Sequence, residues 1–347
     1  MPFDEFPDDS FLTNGAVDDL DAEVDRDEEA AEGVAFEDGE PESVAMGSKT
    51  GTVALVGRPN AGKSTLMNRL LGEKLAIVSD KPQTTRHRLV GILSDANGQM
   101  VFYDTPGVHK PEHRMNRQMV KAAQEALNEA TVVCLLVDVS QRSGSGDRYM
   151  MEWVAQTTTP KVVVLNKIDL VTNKKELLPR IAEYAEAGFE EIVPLSALEE
   201  DGTGRLVELL WSYLPDGDAN YDPELVSIHP ERFLVAERIR EKVLHRTRDE
   251  LPFSVAVLIE SWEDRPEQDL VVIHASILVE RQGQKKIVVG SGGQQIKSIG
   301  IAARRDLERY LDSRVHLDLK VRVEREWRDN RRILSELDRA PYDVRLG

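Results

Sequence analysis

The stretch Gly57-Arg58-Pro59-Asn60-Ala61-Gly62-Lys63-Ser64, with Thr65 behind it, constrains this chain more than any other. It follows the apolar run Thr52 to Val56 and leads into Leu66 to Leu71, whose apolar positions suit an amphipathic helix. Strand, G-x-x-x-x-G-K-S and helix, in that order, make a loop that cradles phosphate. Its glycines permit φ > 0 and let backbone N–H groups turn inward onto an anion. The helix start adds the positive end of its dipole. In such a loop Lys63 reaches the β- and γ-phosphates and the Ser64 hydroxyl ligates Mg²⁺. A nucleoside triphosphate is therefore expected on Gly57, Asn60, Ala61, Gly62, Lys63, Ser64 and Thr65.

Composition narrows the setting. At 347 residues the chain can build two cores, and it contains no run of eighteen apolar residues that would span a membrane. Met1-Pro2-Phe3-Asp4-Glu5 lacks the basic and apolar regions of a signal peptide. The single cysteine, Cys134, lies in the apolar run Val132 to Val137, so it reads as a buried small hydrophobe with no internal disulfide. A reducing cytoplasm fits. With a single cysteine, a zinc site built on cysteine ligands is not expected. The net charge of −18 is unevenly spread: residues 1–47 hold 17 Asp or Glu against Arg26 alone, and the remaining 300 residues are near neutral at −2. Dense like charge without apolar periodicity cannot offset its ordering entropy, so residues 1–47 are expected to be a disordered acidic extension.

From Thr52 onward strands and helices alternate. A polar loop, Ser79 to His87, separates the first helix from two strands, Arg88 to Leu93 and Met100 to Asp104, joined by the turn Ala96-Asn97-Gly98. Met115, Met119, Ala122, Ala123 and Leu127 fall at helical spacing and read as core. Val132 to Val137, Val162 to Leu165 and Ile192 to Leu195 are fully apolar, as buried parallel strands are. An α/β domain with a mostly parallel sheet is expected over residues 48–215, and a linker by composition over 216–222. Residues 223–340 change pattern. A helix from Glu231 to Glu250 precedes strands at Phe253 to Ile259, Leu270 to Val279 and Lys286 to Val289. A Gly-rich loop, a helix from Gln294 to Leu311, an alternating strand from Val315 to Val323 and a short helix near Asp329 complete an α+β domain, with a tail at 341–347.

The base is read by Asn166-Lys167-Ile168-Asp169, directly after the strand Val162 to Leu165. A carboxylate at Asp169 can accept from both N1–H and the 2-amino group of guanine, a donor pair that adenine lacks, and a site built for hydrogen bonds rejects what leaves them unpaired. Asn166 and Lys167 would brace this loop against the phosphate loop and the base. Ser196-Ala197-Leu198, after the next strand, sits where backbone amides could meet the guanine carbonyl. Asp104-Thr105-Pro106-Gly107 ends the strand before it, so Asp104 would hold Mg²⁺ through water and the Gly107 N–H would meet the γ-phosphate. Thr85 is the candidate second hydroxyl on the metal, with Thr84 its nearest rival. The metal set is thus Ser64, Thr85 and Asp104, and the groups expected to act on the γ-phosphate are Lys63, Thr85 and Gly107. Val108 stands where Ras-like GTPases carry a water-orienting glutamine, so intrinsic hydrolysis is expected to be slow.

The series Gly57 to Ser64, Gln83-Thr84-Thr85-Arg86-His87, Asp104 to Gly107, Asn166 to Asp169 and Ser196 to Leu198 resembles the Era family of bacterial GTPases over about residues 50–340. The resemblance implies a GTP-hydrolysing switch using GTP, GDP and Mg²⁺, followed by a type II KH domain. It implies binding to small-subunit ribosomal RNA near its 3′ end and a role in maturation of the 30S subunit. A cytoplasmic monomer without a DNA partner goes with it. Peripheral association with the inner membrane also belongs to the family, although nothing in this composition demands it.

Independently of the resemblance, Gly290-Ser291-Gly292-Gly293 supplies the G-x-x-G loop on which KH domains lay a nucleic-acid backbone, with Lys297, Lys285 and Lys286 beside it. Residues 281–345 carry a balance of +6, and residues 216–280 one of −8. The family usually places a basic residue between the two glycines where Ser291 and Gly292 stand here, so a phosphate contact is expected to shift to Lys297 or the Lys285-Lys286 pair. A second reading is a nucleotide-regulated signalling or structural module, at the membrane or in cell-cycle control, with incidental RNA binding.

Overall fold

The computed structural model describes residues 47–81, 84–107, 114–248 and 251–338. The acidic extension, except Gly47, the tail at 341–347, Gln83 and Val108 lie outside them. The N-terminal domain is a six-stranded sheet in the order β2-β3-β1-β4-β5-β6. Its strands are β1 (Lys49–Gly57), β2 (Leu89–Asp95), β3 (Gly98–Asp104), β4 (Val132–Asp138), β5 (Lys161–Asn166) and β6 (Glu191–Pro194). Only the β2–β3 pair is antiparallel, as its tight turn requires. The period of two sorts each central strand onto two cores: Val53 and Leu55 of β1 join Val132, Cys134 and Leu136 of β4 on one face. Ala54 and Val56 meet Val133, Leu135 and Val137 on the other. Burial of Cys134 pushes its thiol up to about 12, so it stays a small apolar filler. The helices α1 (Lys63–Leu71), α2 (Arg114–Glu129), α3 (Ser145–Ala155), α4 (Leu177–Glu186) and α5 (Thr203–Tyr213) complete the domain.

The C-terminal domain begins with α6 (Glu231–Leu244) and continues through β7 (Ala256–Arg265), β8 (Leu270–Val279), α7 (Gln282–Val289), α8 (Gln294–Leu311), β9 (Arg314–Val323) and α9 (Arg331–Asp338). Its sheet runs β7-β8-β9, antiparallel and then parallel. Val235, Ile239 and Val243 of α6 and Ile299, Ala303 and Leu307 of α8 pack on one face of it.

Two expectations need correction here. The run Lys286 to Val289 is not a strand: it is the second half of α7. Gln284 closes the start of that helix by accepting the Glu280 and Arg281 N–H groups, and within the run only Val288 is buried while Ile287 stays exposed. Three apolar residues cannot distinguish strand from helix by periodicity, and here the cap decides. The G-x-x-G loop therefore joins two helices. The strand expected from Phe253 starts instead at Ala256, because residues 252–254 form a single 3₁₀ turn.

Residues 216–230 are laid along the N-terminal domain. Gln99, fully buried on β3, accepts the N–H groups of Asn220 and Tyr221 at 2.8 and 2.9 Å. Val226 O accepts from Ile92 N–H at 2.8 Å, and His229 Nε2 from Val90 N–H at 2.8 Å, so the outer edge of β2 is paired and not open. Burial and the nearby His87 and Arg88 push the His229 imidazole down to about 4, which keeps that nitrogen an acceptor at neutral pH. The domains also share a small apolar core, in which Met115 and Met119 of α2 meet Ala256, Leu278, Trp327, Ile333 and Leu334. Among the described residues no helix is long and apolar enough to cross a membrane.

Candidate functional site

Everything expected to touch nucleotide lies at the carboxyl ends of the parallel strands, where an α/β sheet opens a crevice. The loop after β1 needs its glycines for space as well as conformation. Gly57 has φ 152°, and a Cβ there would come within 2.4 Å of Leu136 O. Gly62 has φ 95°, and a Cβ would sit 2.1 Å from Asn166 Nδ2. Asn60 takes φ 62° and donates Nδ2–H to Asp80 O at 2.6 Å, latching the phosphate loop to the polar loop that follows α1. Ala61 is buried, its carbonyl accepting from Asn166 Nδ2 at 2.8 Å. Lys63 is buried within the loop and donates to Gly57 O and Arg58 O at 3.2 and 2.8 Å. Thr65, in the first turn of α1, is half-buried.

Three oxygens from three separate elements meet beside Lys63. Ser64 Oγ donates to Asp104 Oδ2 at 2.6 Å, Thr85 Oγ1 lies 2.9 Å from Ser64 Oγ, and Thr85 Oγ1 lies 3.3 Å from Asp104 Oδ2. Asp104 is fully buried, and its Oδ1 has no hydrogen-bond partner among the described residues. A hard dication with oxygen ligands fits that set, since two hydroxyls converge on Asp104 Oδ2 while the other oxygen of the same carboxylate is left without a partner, and Mg²⁺ would be held there directly or through water. Thr84 turns the other way and donates its hydroxyl to Lys81 O at 2.6 Å. The two neighbouring threonines, open as alternatives in the sequence, are thus separated by backbone direction. Gly107 lies against the phosphate loop, where a Cβ would be 2.6 Å from Pro59 N.

Both charged groups at this point are held out of their ordinary ranges. Burial pushes the Lys63 ammonium down from 10.5 to about 8, with Asp104 opposing. Burial pushes the Asp104 carboxyl up from 3.8 to about 6, with Lys63 and the Ser64 and Thr85 hydroxyls opposing. The pocket is short of charge compensation, and a metal–phosphate ligand would supply both signs.

The base-reading loop follows β5. Asn166 spans the site, giving Nδ2–H to Ala61 O and accepting the Ala197 N–H at Oδ1, 3.0 Å away. Lys167 adopts φ 67° and pairs with Asp138 at 2.6 Å, which turns the chain so that Asp169 is exposed at the start of a 3₁₀ turn. Asp169 has no hydrogen bond or ion pair with any described residue, and its carboxylate is available to a ligand. Ser196 N–H is committed to Asp201 O, and Leu198 is exposed at the mouth.

The G-x-x-G loop lies between α7 and α8. Gly290, Gly292 and Gly293 all have positive φ, at 73°, 56° and 79°. A Cβ on Gly290 would press within 2.6 Å of Gln295 Cβ, whereas at Gly292 it would meet nothing within 4 Å. Ser291, Lys286 and Lys297 are exposed and Lys285 is half-buried, on the loop and its two flanking helices.

Several residues of consequence carry little or no signal in the sequence. Asp138 ends β4 and positions Lys167; a polar residue at the carboxyl end of an apolar strand is the signal that marks it. Asp147 holds Arg58 of the phosphate loop at 2.8 Å. Arg86 sends its guanidinium into the C-terminal domain, to Val255 O at 2.5 Å and Phe253 O at 3.1 Å, over the Trp327 ring. Arg240 of α6 reaches back to Thr84 O. Pairs this far apart in sequence leave no local pattern.

A family model for 50S ribosome-binding GTPases matches residues 52–167, and one for KH domains matches residues 250–328. GTPase Era from Geotalea uraniireducens is 47% identical over 289 residues, covering 83% of this chain and 97% of that protein. GTPase Era from Alkaliphilus metalliredigens is 44% identical over 294 residues, covering 84% and 99%. Two solved structures superpose with TM-scores of 0.81, each covering 84% of this chain and 99% of its own. They are a point variant of Aquifex aeolicus Era bound to GDP·AlF₄⁻, at 36% identity, and Era in complex with MgGDPNP and nucleotides 1506–1542 of 16S ribosomal RNA, at 37%.

The shifted carboxyl at Asp104 gives a pH signature. A group raised from 3.8 to about 6 favours the fold fully below pH 3.8 and loses that contribution as pH rises through about 6. In the same interval a proton competes with the metal. In Mg²⁺ titrations of the nucleotide complex, the half-saturating concentration should rise up to about tenfold per pH unit below 6. Asp104→Asn should remove that step and leave only the triphosphate's own titration.

Proposed function

The chain belongs to the Era family of GTPases, and on that premise we propose how its residues divide the work of a GTP-hydrolysing switch that binds ribosomal RNA. It is a GTPase with a P-loop domain and a KH domain, using GTP, GDP and Mg²⁺. The observation that carries the division of roles is the convergence of Ser64, Thr85 and Asp104 on one point beside Lys63.

Ser64 and Thr85 would hold the metal through their hydroxyls and Asp104 through water, and the metal would neutralise charge developing between the β- and γ-phosphates. Lys63, already desolvated, gives its ammonium to the same oxygens and regains full ionisation beside their negative charge. The loop amides from Asn60 to Thr65 take the remaining phosphate oxygens. Gly107 presents its N–H to the γ-phosphate, made possible by its close approach to Pro59. Asp169 accepts from N1–H and the 2-amino group of guanine. Asn166 holds the base loop and the phosphate loop in one register, so that base and phosphate contacts are made together. With Thr85 closing only around a γ-phosphate, hydrolysis opens the polar loop.

The KH domain takes the RNA. The positive φ of the G-x-x-G glycines, the open space at Gly292 and the exposed Lys286 and Lys297 favour a phosphate backbone passing over the loop. Ile287 and Ile301, exposed at 56% and 42%, give an apolar surface on each flanking helix against which bases can lie. The solved relative with nucleotides 1506–1542 supports the 3′ end of small-subunit RNA as the ligand. We place the protein on the maturing 30S subunit, acting as a monomer.

Two substitutions test these assignments. Asp169→Asn exchanges an acceptor for a donor that suits the C2 carbonyl of xanthine. Preference measured by competition binding should move from GTP to xanthosine triphosphate by up to about 10⁴-fold. Full retention of GTP preference would show that the base is read elsewhere. Gly292→Asp fits sterically, since Asp tolerates positive φ and nothing lies within 4 Å of the new Cβ. It puts negative charge where phosphate must pass. Affinity for a 3′-end RNA oligonucleotide should fall about tenfold or more at low salt, with GTP hydrolysis in the absence of RNA unchanged.

A further inference from the structure

The residues on both sides of Thr85 are held by the C-terminal domain. Before it, Thr84 O accepts a hydrogen bond from Nη2 of Arg240, a residue of α6 that is 1% exposed. After it, Arg86 is buried with its guanidinium on the carbonyls of Phe253 and Val255, the turn that opens β7. Glu237 sits one helical turn from Arg240 and takes its Nε and Nη2 at 2.7 and 2.6 Å, fixing the fork that addresses Thr84. Burial presses the Glu237 carboxyl up, but the bonded Arg240 and the nearby His87 and Arg86 hold it below the usual carboxylate range. The loop leading to Thr84 is gripped too: Glu241 accepts the Val78 N–H at 3.0 Å, and Lys74 pairs with Glu241 at 2.6 Å and with Asp306 of α8 at 3.4 Å.

We propose that Arg240 is a positioning residue for the nucleotide site: through the Thr84 carbonyl it holds Thr85 in the metal-binding position, so the docked KH domain selects GTP over GDP. Arg240 contacts the chain one residue from the metal set and none of the metal set itself. As a metal ligand, Thr85 acts only when a γ-phosphate is present. A grip that stabilises Thr85 in place therefore lowers the free energy of the GTP complex and leaves the GDP complex alone. By linkage the same coupling runs backwards, and a γ-phosphate on the metal strengthens the seating of α6 on the polar loop. The device has a natural release. Arg86 and Arg240 are like charges in a buried place, and burial and their mutual repulsion, eased by Glu237, press the Arg86 guanidinium well below its ordinary range. Moving the C-terminal domain relieves both costs at once.

The test uses the full chain and equilibrium binding of fluorescent GDP and of a non-hydrolysable GTP analogue in Mg²⁺. Arg240→Met keeps the buried stem and removes the fork. The expected result is about tenfold weaker binding of the GTP analogue with GDP affinity within about twofold; Glu237 loses its buried partner, so the melting temperature falls as well, and the retained GDP affinity is what shows that the nucleotide site stays folded. Thr85→Ala should show the same selective loss, and the double variant should be no weaker than Thr85→Ala by more than about twofold, because both act through one hydroxyl. Arg240→Lys, which retains the charge and reaches fewer acceptors, should fall between wild type and Arg240→Met, and it serves alone if the Met variant does not fold. Parallel losses for GDP and the GTP analogue, multiplicative losses in the double variant, or an unchanged preference in Arg240→Lys would overturn the proposal.

Discussion

A buried lysine and a buried aspartate without enough charge around them are what the rest of this structure serves. Lys63 opens α1, just past the end of β1, and Asp104 ends the neighbouring strand β3; both are nearly or fully removed from water, and each is driven toward its neutral form. Their mutual attraction only partly opposes that desolvation. A metal bound to phosphates would repair the deficit, giving Asp104 a cation and Lys63 an anion. Binding energy is available at the point where charge is redistributed during transfer of the γ-phosphoryl group. The glycines at 57 and 62, and the close approach at 107, let backbone come near enough to complete that environment.

The sheet makes the arrangement possible. Parallel strands place their carboxyl ends on one edge, so Gly57, Asp104, Asn166 and Ser196, far apart in sequence, become neighbours. That is why much of the nucleotide site is legible in the sequence. Each apolar run ends in a short polar motif, and the fold converts such ends into a crevice. Thr84 and Thr85 cannot be separated in this way, since the choice depends on backbone direction in a loop without periodicity. The run Lys286 to Val289 misleads because its three apolar residues suit either element, and the deciding contact, Gln284 on the N–H groups of Glu280 and Arg281, precedes the run.

Least legible is the join between the domains. Arg240 and Thr84 are 156 residues apart, and Arg86 and Val255 are 169 apart. Either arginine, taken in its own segment, looks like a solvated charge. Together they mean that the loop carrying Thr85 is shared property, packed on one side by the nucleotide domain and on the other by the RNA domain. Asp306 extends the connection: it pairs with Lys74, Arg238 and Lys242 while riding on α8, the helix that begins at the G-x-x-G loop. One helix, α8, thus connects the G-x-x-G loop to the ion pairs that tie α6 to Lys74, ahead of the loop that carries Thr85.

The central claim is that these two sites are thermodynamically one system. The most direct measurement is the affinity of the full chain for a 3′-end small-subunit RNA oligonucleotide, at fixed salt, with saturating Mg²⁺ and either GDP or a non-hydrolysable GTP analogue. Coupling through the shared loop predicts affinities that differ by about fivefold or more between the two nucleotides. Equal affinities would contradict it, leaving two domains that occupy one chain without speaking to each other.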